Sequence, residues 1–461
     1  MDVIFDADLM RRYDREGPRY TSYPTALQFH EGLSVADYDR AARESAGARR
    51  GDPLSIYVHI PFCYSPCFYC ACNKVITRQV QRADPYLRQL KTEIGLRSGF
   101  FDRSRRIEQL HLGGGTPTFL PQQHMSALME ALASHFQLID AADRDYSIEI
   151  DPRTVTRPSI RQLMDLGFNR ISLGVQDFDP EVQAAVNRIQ SVDLVAGILE
   201  EARLQGLKSI NFDLIYGLPK QSLKSFESTL DEVIRLRPDR LAVYGYAHMP
   251  RLFKPQRQIH EPDLPDAALR LSLLQLAIGK LTAAGYDYIG MDHFALPDDS
   301  LARAQRNGTM HRTFQGYTTH ASRDLVSFGV SAIGQVGNLY VQNHKHLVAY
   351  GAALDRGVLP QHRGVVATAD DVIRRDVIQR IMCHGQLDFD AVERAHHIDF
   401  HTYFLAEQPR VRTLAQDGLV ELKERSLALT PRGRLLMRNV AMAFDAYLAR
   451  RTAPVVQSRV I

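Results

Sequence analysis

The stretch YVHIPFCYSPCFYCACNK, residues 57–74, contains four of the chain's five cysteines. Cys63, Cys67 and Cys70 lie at the spacing C-x3-C-x2-C, and Cys72 follows after one more residue. Three thiolates on one short loop can bind three corners of a cubic iron–sulfur cluster and leave its fourth iron without a protein ligand. The spacing therefore predicts a [4Fe-4S] cluster whose open iron can bind a reactant.

Other cysteine chemistries compete with this interpretation. A disulfide pair suits a secreted chain, but the start MDVIFDAD has no secretory leader pattern. A chain of 461 residues can also form a hydrophobic core without disulfide bonds. A structural zinc site needs four ligands, which Cys72 or His59 could complete, although zinc ligands usually come from two separated pairs. A ferredoxin-type cluster needs a fourth, well-spaced cysteine. Cys72 is close to Cys70 for that role, and Cys383 is isolated.

Composition narrows the class of protein. With 56 basic and 53 acidic residues the formal net charge is +3, which is too balanced for an electrostatic nucleic-acid binder but permits an anionic small substrate. The chain is 45% hydrophobic and 24% charged, as in ordinary globular enzymes, and it has no run of 18 apolar residues. These features predict a cytoplasmic enzyme with no nucleic-acid and no membrane partner, in a compartment where thiolates stay reduced.

Short apolar segments alternate with longer stretches of helical periodicity. The predicted strands are 54–59, 107–112, 147–150, 170–175, 208–214, 240–246 and 286–292. The predicted helices include 82–98, 121–136, 192–205, 221–236 and 264–284. Regular alternation of strand and helix predicts an α/β fold over residues 51–364, a partial or complete parallel (β/α) barrel whose reactive face lies where the strands end.

The segments outside this alternation have a different composition. Residues 1–50 include the Pro-bounded, aromatic run GPRYTSYPT at 17–25, which predicts an extended N-terminal arm. Residues 307–343 are rich in Gly, Ser, Thr and aromatic residues, which predicts binding loops more than core. In residues 365–461, helical patterns flank a hairpin at 419–430, which predicts a mostly helical domain resembling a winged helix. That domain has 14 basic and 12 acidic residues, so its composition does not indicate a basic surface that would bind the DNA backbone.

Glycine or polar residues follow the ends of successive predicted strands. The cysteine loop follows the first strand, and the run Gly113-Gly114-Gly115-Thr116 follows the second. Later strand ends carry Glu149, Gln176, Asp213 and Ala247. Taken singly, the glycine run also fits a tight turn, and each carboxylate also fits a solvated loop or a helix cap. Their shared position favours a ligand site, since carboxylates are natural partners for hydroxyls and cationic amines.

The cysteine spacing, with the aromatic residue Tyr69 before the third cysteine, resembles the signature of the radical S-adenosylmethionine (SAM) enzymes. In that family the open iron chelates the amine and carboxylate of SAM. One electron from the reduced cluster breaks a carbon–sulfur bond, and the released 5′-deoxyadenosyl radical abstracts hydrogen from an unactivated carbon. The resemblance implies this chemistry here.

A wider set of motifs narrows the resemblance to one family. The chain is similar to the oxygen-independent coproporphyrinogen III oxidases over nearly its whole length, in segments 17–25, 57–74, 113–118, 174–178, 213–220, 291–294, 314–319 and 458–461. That family converts two propionate side chains of coproporphyrinogen III to vinyl groups and gives protoporphyrinogen IX. The resemblance implies the same substrate for this chain, an unidentified electron donor and acceptor, and a monomer.

The resemblance also implies roles for individual residues. The cluster ligands would be Cys63, Cys67 and Cys70. The SAM bound to the cluster would be lined by Tyr57, Tyr69, Gly114, Glu149 and Ile333. A second SAM molecule would be held by Gly115, Thr116, Gln176, Arg188, Asp213 and Ala247. Considered alone, Arg188 suits an exposed helix charge.

Three alternative functions share parts of this pattern. A haem-carrying chaperone of the same fold pairs a His-Asn element with Tyr-Trp, and this chain contains no Trp. A radical SAM enzyme that opens haem shares the cluster motif, but the arm at 17–25 and the run Phe314-Gln315-Gly316 favour the decarboxylase. A non-catalytic iron–sulfur scaffold would differ from all of these enzymes by forming no 5′-deoxyadenosine.

Overall fold

The chain divides into two units in a computed structural model that describes residues 3–48, 51–320, 324–450 and 459. The larger unit comprises the described residues of 28–266 and 322–366. The smaller unit comprises those of 1–27, 267–321 and 367–461. Every residue predicted to bind the cluster or SAM lies in the larger unit.

The strands and helices are numbered in chain order. The strands are β1 (His30–Glu31), β2 (Leu54–Ile60), β3 (Phe62–Cys63), β4 (Val75–Ile76), β5 (Arg106–Gly114), β6 (Gln137–Leu138), β7 (Asp145–Ile150), β8 (Arg170–Gln176), β9 (Ser209–Tyr216), β10 (Arg240–Gly245), β11 (Asp287–Gly290), β12 (His293–Ala295), β13 (His311–Thr313), β14 (Gly316–Thr318), β15 (Leu325–Phe328), β16 (Ile333–Val336), β17 (Leu339–Asn343), β18 (Gln361–Val366), β19 (Gln386–Asp388), β20 (Val420–Lys423) and β21 (Ser426–Leu429). The helices are α1 (Ala7–Tyr13), α2 (Val35–Ala48), α3 (Ala83–Ser98), α4 (Gln122–His135), α5 (Arg157–Asp165), α6 (Pro180–Ala185), α7 (Val192–Leu204), α8 (Leu223–Leu236), α9 (Ala267–Ala283), α10 (Ser300–Arg306), α11 (Leu347–Asp355), α12 (Ala369–His384), α13 (Phe389–His396), α14 (Phe400–Tyr403), α15 (Gln408–Gln416), α16 (Met437–Met442) and α17 (Ala446–Ala449).

The larger unit is built around a parallel sheet. Strands β2, β5, β7, β8, β9 and β10 lie side by side in that order, each parallel to the next. Parallel neighbours need a crossover connection, and helices supply it between successive strands. On the other side of β2 lie β15, which is parallel to it, and then the antiparallel strands β16, β17 and β18. The predicted parallel α/β fold is confirmed.

The two faces of this sheet carry different side chains, because side chains alternate along a strand. One face is fully buried and aliphatic, as Ile56, Val58, Leu110 and Leu112 illustrate. The other face is polar and only partly buried. We call its residues the polar row: Tyr57, His111, Ser147, Glu149, Ser172, Asn211 and Asp213. The polar row is therefore where a ligand could meet functional groups.

Two sequence predictions about strands are wrong. Segment 286–292 was expected to be a parallel strand, yet β11 pairs with β12 in antiparallel fashion. Residues 307–343 were expected to be binding loops, yet β15 and β17 are buried along their whole length. Polar residues in these strands are satisfied by hydrogen bonds, as when Asn343 Nδ2 donates to Glu93 Oε1 at 2.8 Å. Polar composition therefore concealed core strands.

The smaller unit contains the arm segment and the C-terminal elements. The arm is anchored by buried tyrosines: Tyr20 donates its hydroxyl hydrogen to Asp445 Oδ2 at 2.8 Å, and Ala446 N–H donates to Tyr23 Oη at 3.0 Å. Strands β19, β21 and β20 form a small antiparallel sheet among helices, as a winged helix has. Ser458, Val460 and Ile461 of the terminal motif lie outside the described residues. In the described part of the chain no helix has the length and apolar character needed to cross a membrane.

Candidate cluster and cofactor site

The cysteine loop leaves the end of β2 and is fixed at several points. Cys63 ends β3, and Thr77 N–H donates to Cys63 O at 2.9 Å where the chain returns. Asn187, which has a positive φ of 54°, donates through Nδ2 to Pro66 O at 2.7 Å and holds the middle of the loop. Each cysteine is a free thiol, so the structure does not support the disulfide interpretation.

Two loop sulfurs accept hydrogen bonds from neighbouring strand ends. Thr116 Oγ1 donates to Cys63 Sγ at 3.4 Å. Arg153 Nη2 and Arg188 Nη1 donate to Cys67 Sγ at 3.6 and 3.4 Å. Donors and positive charge near a cysteine favour its thiolate, which is the form that binds iron.

The last two cysteines of the loop differ in thiol chemistry. A hydrogen bond with Cys72 lowers the pKa of Cys70 to about 5, with Lys74 adding to the effect and burial opposing it. The same hydrogen bond raises the pKa of Cys72 well above its ordinary value. The hydrogen bond from Cys72 therefore favours the thiolate of Cys70. By contrast, burial raises the pKa of Cys63 to about 11, so iron binding must displace that proton.

Glu149 ends β7 and faces the glycine run that ends β5. Gly114 N–H donates to Glu149 Oε2 at 2.9 Å, and His111 Nε2 lies 3.4 Å from Oε1. Burial alone would raise the pKa of Glu149, but His111 and the Gly114 N–H outweigh it and hold the pKa below its ordinary value. The side chain is 43% exposed, so this charged carboxylate can still accept hydrogen bonds from a ligand.

The glycine run is required by the protein itself. A Cβ added to Gly114 would lie 2.4 Å from the His59 ring, and one added to Gly115 would lie 2.7 Å from the Pro61 carbonyl carbon. Gly114 also has a φ of 114°, which side chains strongly disfavour. Close packing therefore accounts for these glycines whether or not a ligand also approaches them.

Tyr57 belongs to an aromatic group at the ends of β2 and β5. Its ring stacks on His111 with the centroids 5.9 Å apart, and its hydroxyl lies 3.0 Å from His59 Nδ1. His59 Nε2 lies 3.0 Å from Asn73 O, so Nε2 must carry the hydrogen and Nδ1 accepts from Tyr57. Burial lowers the pKa of His59, which keeps this ring neutral.

Asp213 lies on β9 and is held by two neighbours in the polar row. Ser172 Oγ donates to Oδ2 and Asn211 Nδ2 donates to Oδ1, both at 2.9 Å. Burial and the charge of Glu149 raise the pKa of Asp213 to about 6, although both hydrogen bonds oppose this. Two protein donors therefore fix the orientation of the Asp213 carboxylate.

Arg188 is not an exposed helix charge. It lies between α6 and α7 with an exposure of 6%, and its Nη2 donates to Gly174 O at 2.6 Å. Gln176, at the end of β8, has a positive φ of 68°. A Cβ on Gly174 would lie 2.8 Å from nitrogens of both Arg188 and Gln176, so this glycine leaves the space that both side chains use.

The remaining predicted site residues lie around the same edge of the sheet. Gln256 Nε2 donates to Tyr69 O at 3.0 Å and to Ala247 O at 3.1 Å, so one side chain joins the cysteine loop to the segment after β10. Thr116 N–H donates to Phe62 O at 2.8 Å. Ile333 is partly buried at the start of β16. The structure thus places most of the predicted residues at strand ends or in the loops beside them, while Tyr57 and Asp213 lie within β2 and β9.

Comparisons with known proteins identify the family to which the chain belongs. A model of the radical SAM superfamily matches residues 57–233, and one of the HemN C-terminal domain matches residues 367–436. The chain is 53% identical over 449 residues to the oxygen-independent coproporphyrinogen III oxidase of Pseudomonas aeruginosa, with 97% of each chain covered. The chain belongs to the oxygen-independent coproporphyrinogen III oxidase family.

Other members of the oxidase family match over similar lengths. The Escherichia coli K12 relative is 47% identical over 460 residues, covering 100% of this chain and 99% of its own length. A solved structure of coproporphyrinogen III oxidase from E. coli, described as a radical SAM enzyme, has a TM-score of 0.92 at 46% identity and covers 97% of this chain and 100% of its own. This chain therefore has the radical SAM fold.

The residues present fit the [4Fe-4S] cluster and SAM that radical SAM enzymes use. In the described ranges, no three His, Cys, Asp or Glu side chains converge as they would around one metal ion. A cubic cluster makes a different demand, because each thiolate binds a different iron. Three cysteines on one anchored loop, with hydrogen-bond donors at Cys63 and Cys67 and a lowered pKa at Cys70, meet that demand.

The structure adds residues that sequence reasoning did not assign to the oxidase site. His59 was considered only as a zinc ligand, although it lies two residues after the predicted site residue Tyr57 on β2, and His111 was not considered, although it lies opposite Tyr57 on β5. For His59, the alternation along its strand was a usable signal. Arg153 and Gln256 gave no signal, since their partners Cys67 and Tyr69 are 86 and 187 residues away.

Proposed function

We propose that this chain catalyses the oxygen-independent oxidative decarboxylation of two propionates of coproporphyrinogen III, which gives protoporphyrinogen IX. The observation that carries the proposal is the 53% identity, over 97% of both chains, to a relative with that named activity. The cysteine loop, Glu149 and Asp213 meet at one edge of a parallel sheet, where enzymes of this architecture place their chemistry.

The reaction explains why the site is built around a radical source. The β-carbon of a propionate has no acidic hydrogen that a general base could remove. When bound and reduced, the cluster supplies one electron to SAM, which releases the 5′-deoxyadenosyl radical. Removal of one β-hydrogen atom, then loss of carbon dioxide and of one electron to an acceptor, turns CH2–CH2–COO⁻ into CH=CH2. The electron donor and the acceptor are unidentified partners.

We assign Cys63, Cys67 and Cys70 to the cluster and the adjoining groups to the first SAM. Glu149 is charged and partly exposed, so it is suited to accept from the ligand's amine or ribose hydroxyls. The lining of this first site is Tyr57, Tyr69, Gly114, Glu149 and Ile333. Neutral His59 orients the Tyr57 hydroxyl, which keeps that ring in place without adding charge.

A second SAM would occupy the strand ends next along the sheet. Asp213 offers an oriented carboxylate for an amine, and Gln176 offers an amide for a carboxylate or hydroxyl. The assigned residues are Gly115, Thr116, Gln176, Arg188, Asp213 and Ala247. Arg188 already donates hydrogen bonds to protein acceptors, which restrict its movement. Its proposed role is therefore to shape the second SAM site and to give it positive charge.

We further propose that the enzyme acts as a monomer in the cytoplasm. The free thiols of the loop support the location, because they need a reducing compartment to hold iron. The balanced charge of +3 supports the absence of a nucleic-acid partner. Light scattering of the cluster-loaded protein tests the oligomeric state.

The decisive experiment is an anaerobic assay with coproporphyrinogen III, SAM and a chemical reductant. We expect protoporphyrinogen IX and 5′-deoxyadenosine to form together. Formation of 5′-deoxyadenosine without any decarboxylated porphyrinogen would point to another radical SAM reaction, such as haem opening. Absence of 5′-deoxyadenosine with a fully assembled cluster would indicate a carrier or scaffold.

A further inference from the structure

Cys67 differs from Cys63 in the groups that surround its sulfur. Two guanidinium groups, of Arg153 and Arg188, donate to Cys67 Sγ at 3.6 and 3.4 Å. The sulfur of Cys63 instead accepts from the neutral hydroxyl of Thr116. Cationic donors perturb a thiolate more strongly than neutral donors do.

A single carboxylate holds both arginines in place. Asp151 accepts from Arg153 Nε at 2.9 Å and from Arg153 Nη2 at 2.6 Å. The same carboxylate accepts from Arg188 Nη1 at 3.2 Å. Its side chain is 10% exposed, and those of Arg153 and Arg188 are 24% and 8% exposed. Water therefore screens this group weakly, and two positive charges face one negative charge beside Cys67.

Local folding fixes the position of Asp151 and Arg153. Asp151 follows β7 and caps the short 3-10 helix Pro152–Thr154 by accepting from Arg153 N–H at 3.1 Å. The guanidinium of Arg153 folds back onto the same carboxylate, which leaves Nη2 directed at Cys67. The backbone cap and this ion pair together set the direction of the Arg153 guanidinium.

We propose that Arg153 and Arg188, oriented by Asp151, set the reduction potential of the cluster through the Cys67 thiolate. Hydrogen bonds to ligand sulfurs and the net charge nearby are principal determinants of iron–sulfur potentials. Positive charge at Cys67 stabilises the state with one more electron and so raises the potential. This role rests on the proposed cluster ligation by Cys67, and it makes Arg153 a positioning and tuning residue that acts through the Cys67 sulfur.

The test uses cluster-loaded protein under anaerobic conditions. A chemical reductant supplies one electron to the cluster. The fraction of reduced cluster is measured by electron paramagnetic resonance as the solution potential is varied, which gives the midpoint potential. We expect Arg153→Met to lower the midpoint potential, because it removes a charge and a donor while keeping a similar side-chain length. Arg153→Lys should stay nearer the wild type. Asp151→Asn should raise the potential, because it removes the compensating charge while an amide oxygen can still cap the helix.

Arg157→Met is the matched control, since Arg157 lies on the adjoining helix α5 and pairs with Glu200 in an exposed ion pair. Its midpoint should equal that of the wild type. Iron and sulfide per chain are measured for every variant. If Arg153→Met fails to assemble a cluster, Asp151→Asn still tests the direction of the shift.

An unchanged midpoint in Arg153→Met with full iron content would overturn the proposal. Shifts of the same sign in Arg153→Met and Asp151→Asn would overturn it too, since that pattern reports disturbed packing and not charge. Failure of the proposed function would look different, because the variants would then shift the midpoint potential as expected while the cluster-loaded wild type formed no protoporphyrinogen IX.

Discussion

Glu149 and Asp213 show how two carboxylates on one sheet face acquire different pKa values. Glu149 accepts from a backbone N–H and lies beside His111, which holds its pKa below the ordinary value despite burial. Asp213 has only neutral donors, from Ser172 and Asn211, and its burial and the charge of Glu149 raise its pKa to about 6. The two groups therefore titrate in separate pH ranges.

This difference predicts a pH dependence for the second SAM. Asp213 carries its charge only above about pH 6 and loses it as the pH falls through that value, whereas Glu149 stays charged. Because the ligand's amine needs the charged form, the affinity of the second site should fall about tenfold per pH unit below that point. Equilibrium binding to the cluster-loaded protein should show the number of bound SAM molecules falling from two to one. In Asp213→Asn the residual second-site affinity should not vary with pH over this range, and an unchanged pH dependence would remove Asp213 from that site.

Cysteine substitutions distinguish the three proposed cluster ligands from the neighbouring thiol of Cys72. Cys63→Ser, Cys67→Ser and Cys70→Ser should each lose the cluster, because a cube held by two thiolates has a labile iron. Cys72→Ser should assemble it, since the raised pKa of Cys72 keeps its proton and the residue serves Cys70 as a donor. Iron and sulfide analysis after anaerobic reconstitution measures the result. Loss of the cluster in Cys72→Ser as complete as in Cys63→Ser would contradict the ligand assignment.

At the scale of secondary structure, the sequence was informative where periodicity was strong. The first six predicted strands form the parallel sheet, and helices α3, α4, α7, α8 and α9 begin and end within three residues of their predicted bounds. Short helices α5 and α6 were not predicted, although Thr156 and Asp179 before prolines are start signals for them. Strand β17 was missed because its polar residue Asn343 finds a partner in a distant part of the chain, Glu93.

Gly114 ends strand β5, and its replacement by alanine tests whether this strand end requires glycine. Gly114→Ala should destabilise the protein by on the order of 2–5 kcal/mol, because it combines backbone strain at a φ of 114° with a Cβ that would lie 2.4 Å from the His59 ring. That ring cannot swing away without breaking its contacts to Tyr57 and Asn73. Chemical denaturation of the cluster-free chain measures the loss.

Gly206→Ala is the matched control for this substitution. Gly206 also has a positive φ, of 79°, but no atom lies within 4 Å of its added Cβ. It should cost only about 1 kcal/mol, from backbone strain alone. Equal destabilisation by the two substitutions would show that packing against His59 does not contribute.

At the scale of the molecule, the sequence predicted which strand ends would carry the candidate site but not the side-chain contacts that hold the site together. The cysteine loop, Glu149 and Asp213 were visible as unusual residues at strand ends. The contacts of Arg153 with Cys67 and of Gln256 with Tyr69 depend on how distant segments come together, and no local pattern encodes them. Arg188 was the intermediate case, because its burial could not be inferred from its place in the sequence.

The requirement to process two propionates separates the complete enzyme from a generic radical SAM protein. Asp213→Asn should retain the cluster and still cleave some SAM, because Asp213 has no contact with the cysteine loop among its hydrogen bonds and the first site is intact. It should form little protoporphyrinogen IX and accumulate the singly decarboxylated intermediate with three propionates. Arg188 is a poorer choice for this test, since it also contacts Cys67. Anaerobic turnover analysed by chromatography measures the products, with Asp193→Asn, an exposed carboxylate on α7, as the control. Conversion of coproporphyrinogen III by Asp213→Asn at the wild-type rate would show that a second SAM at this position has no part in the reaction.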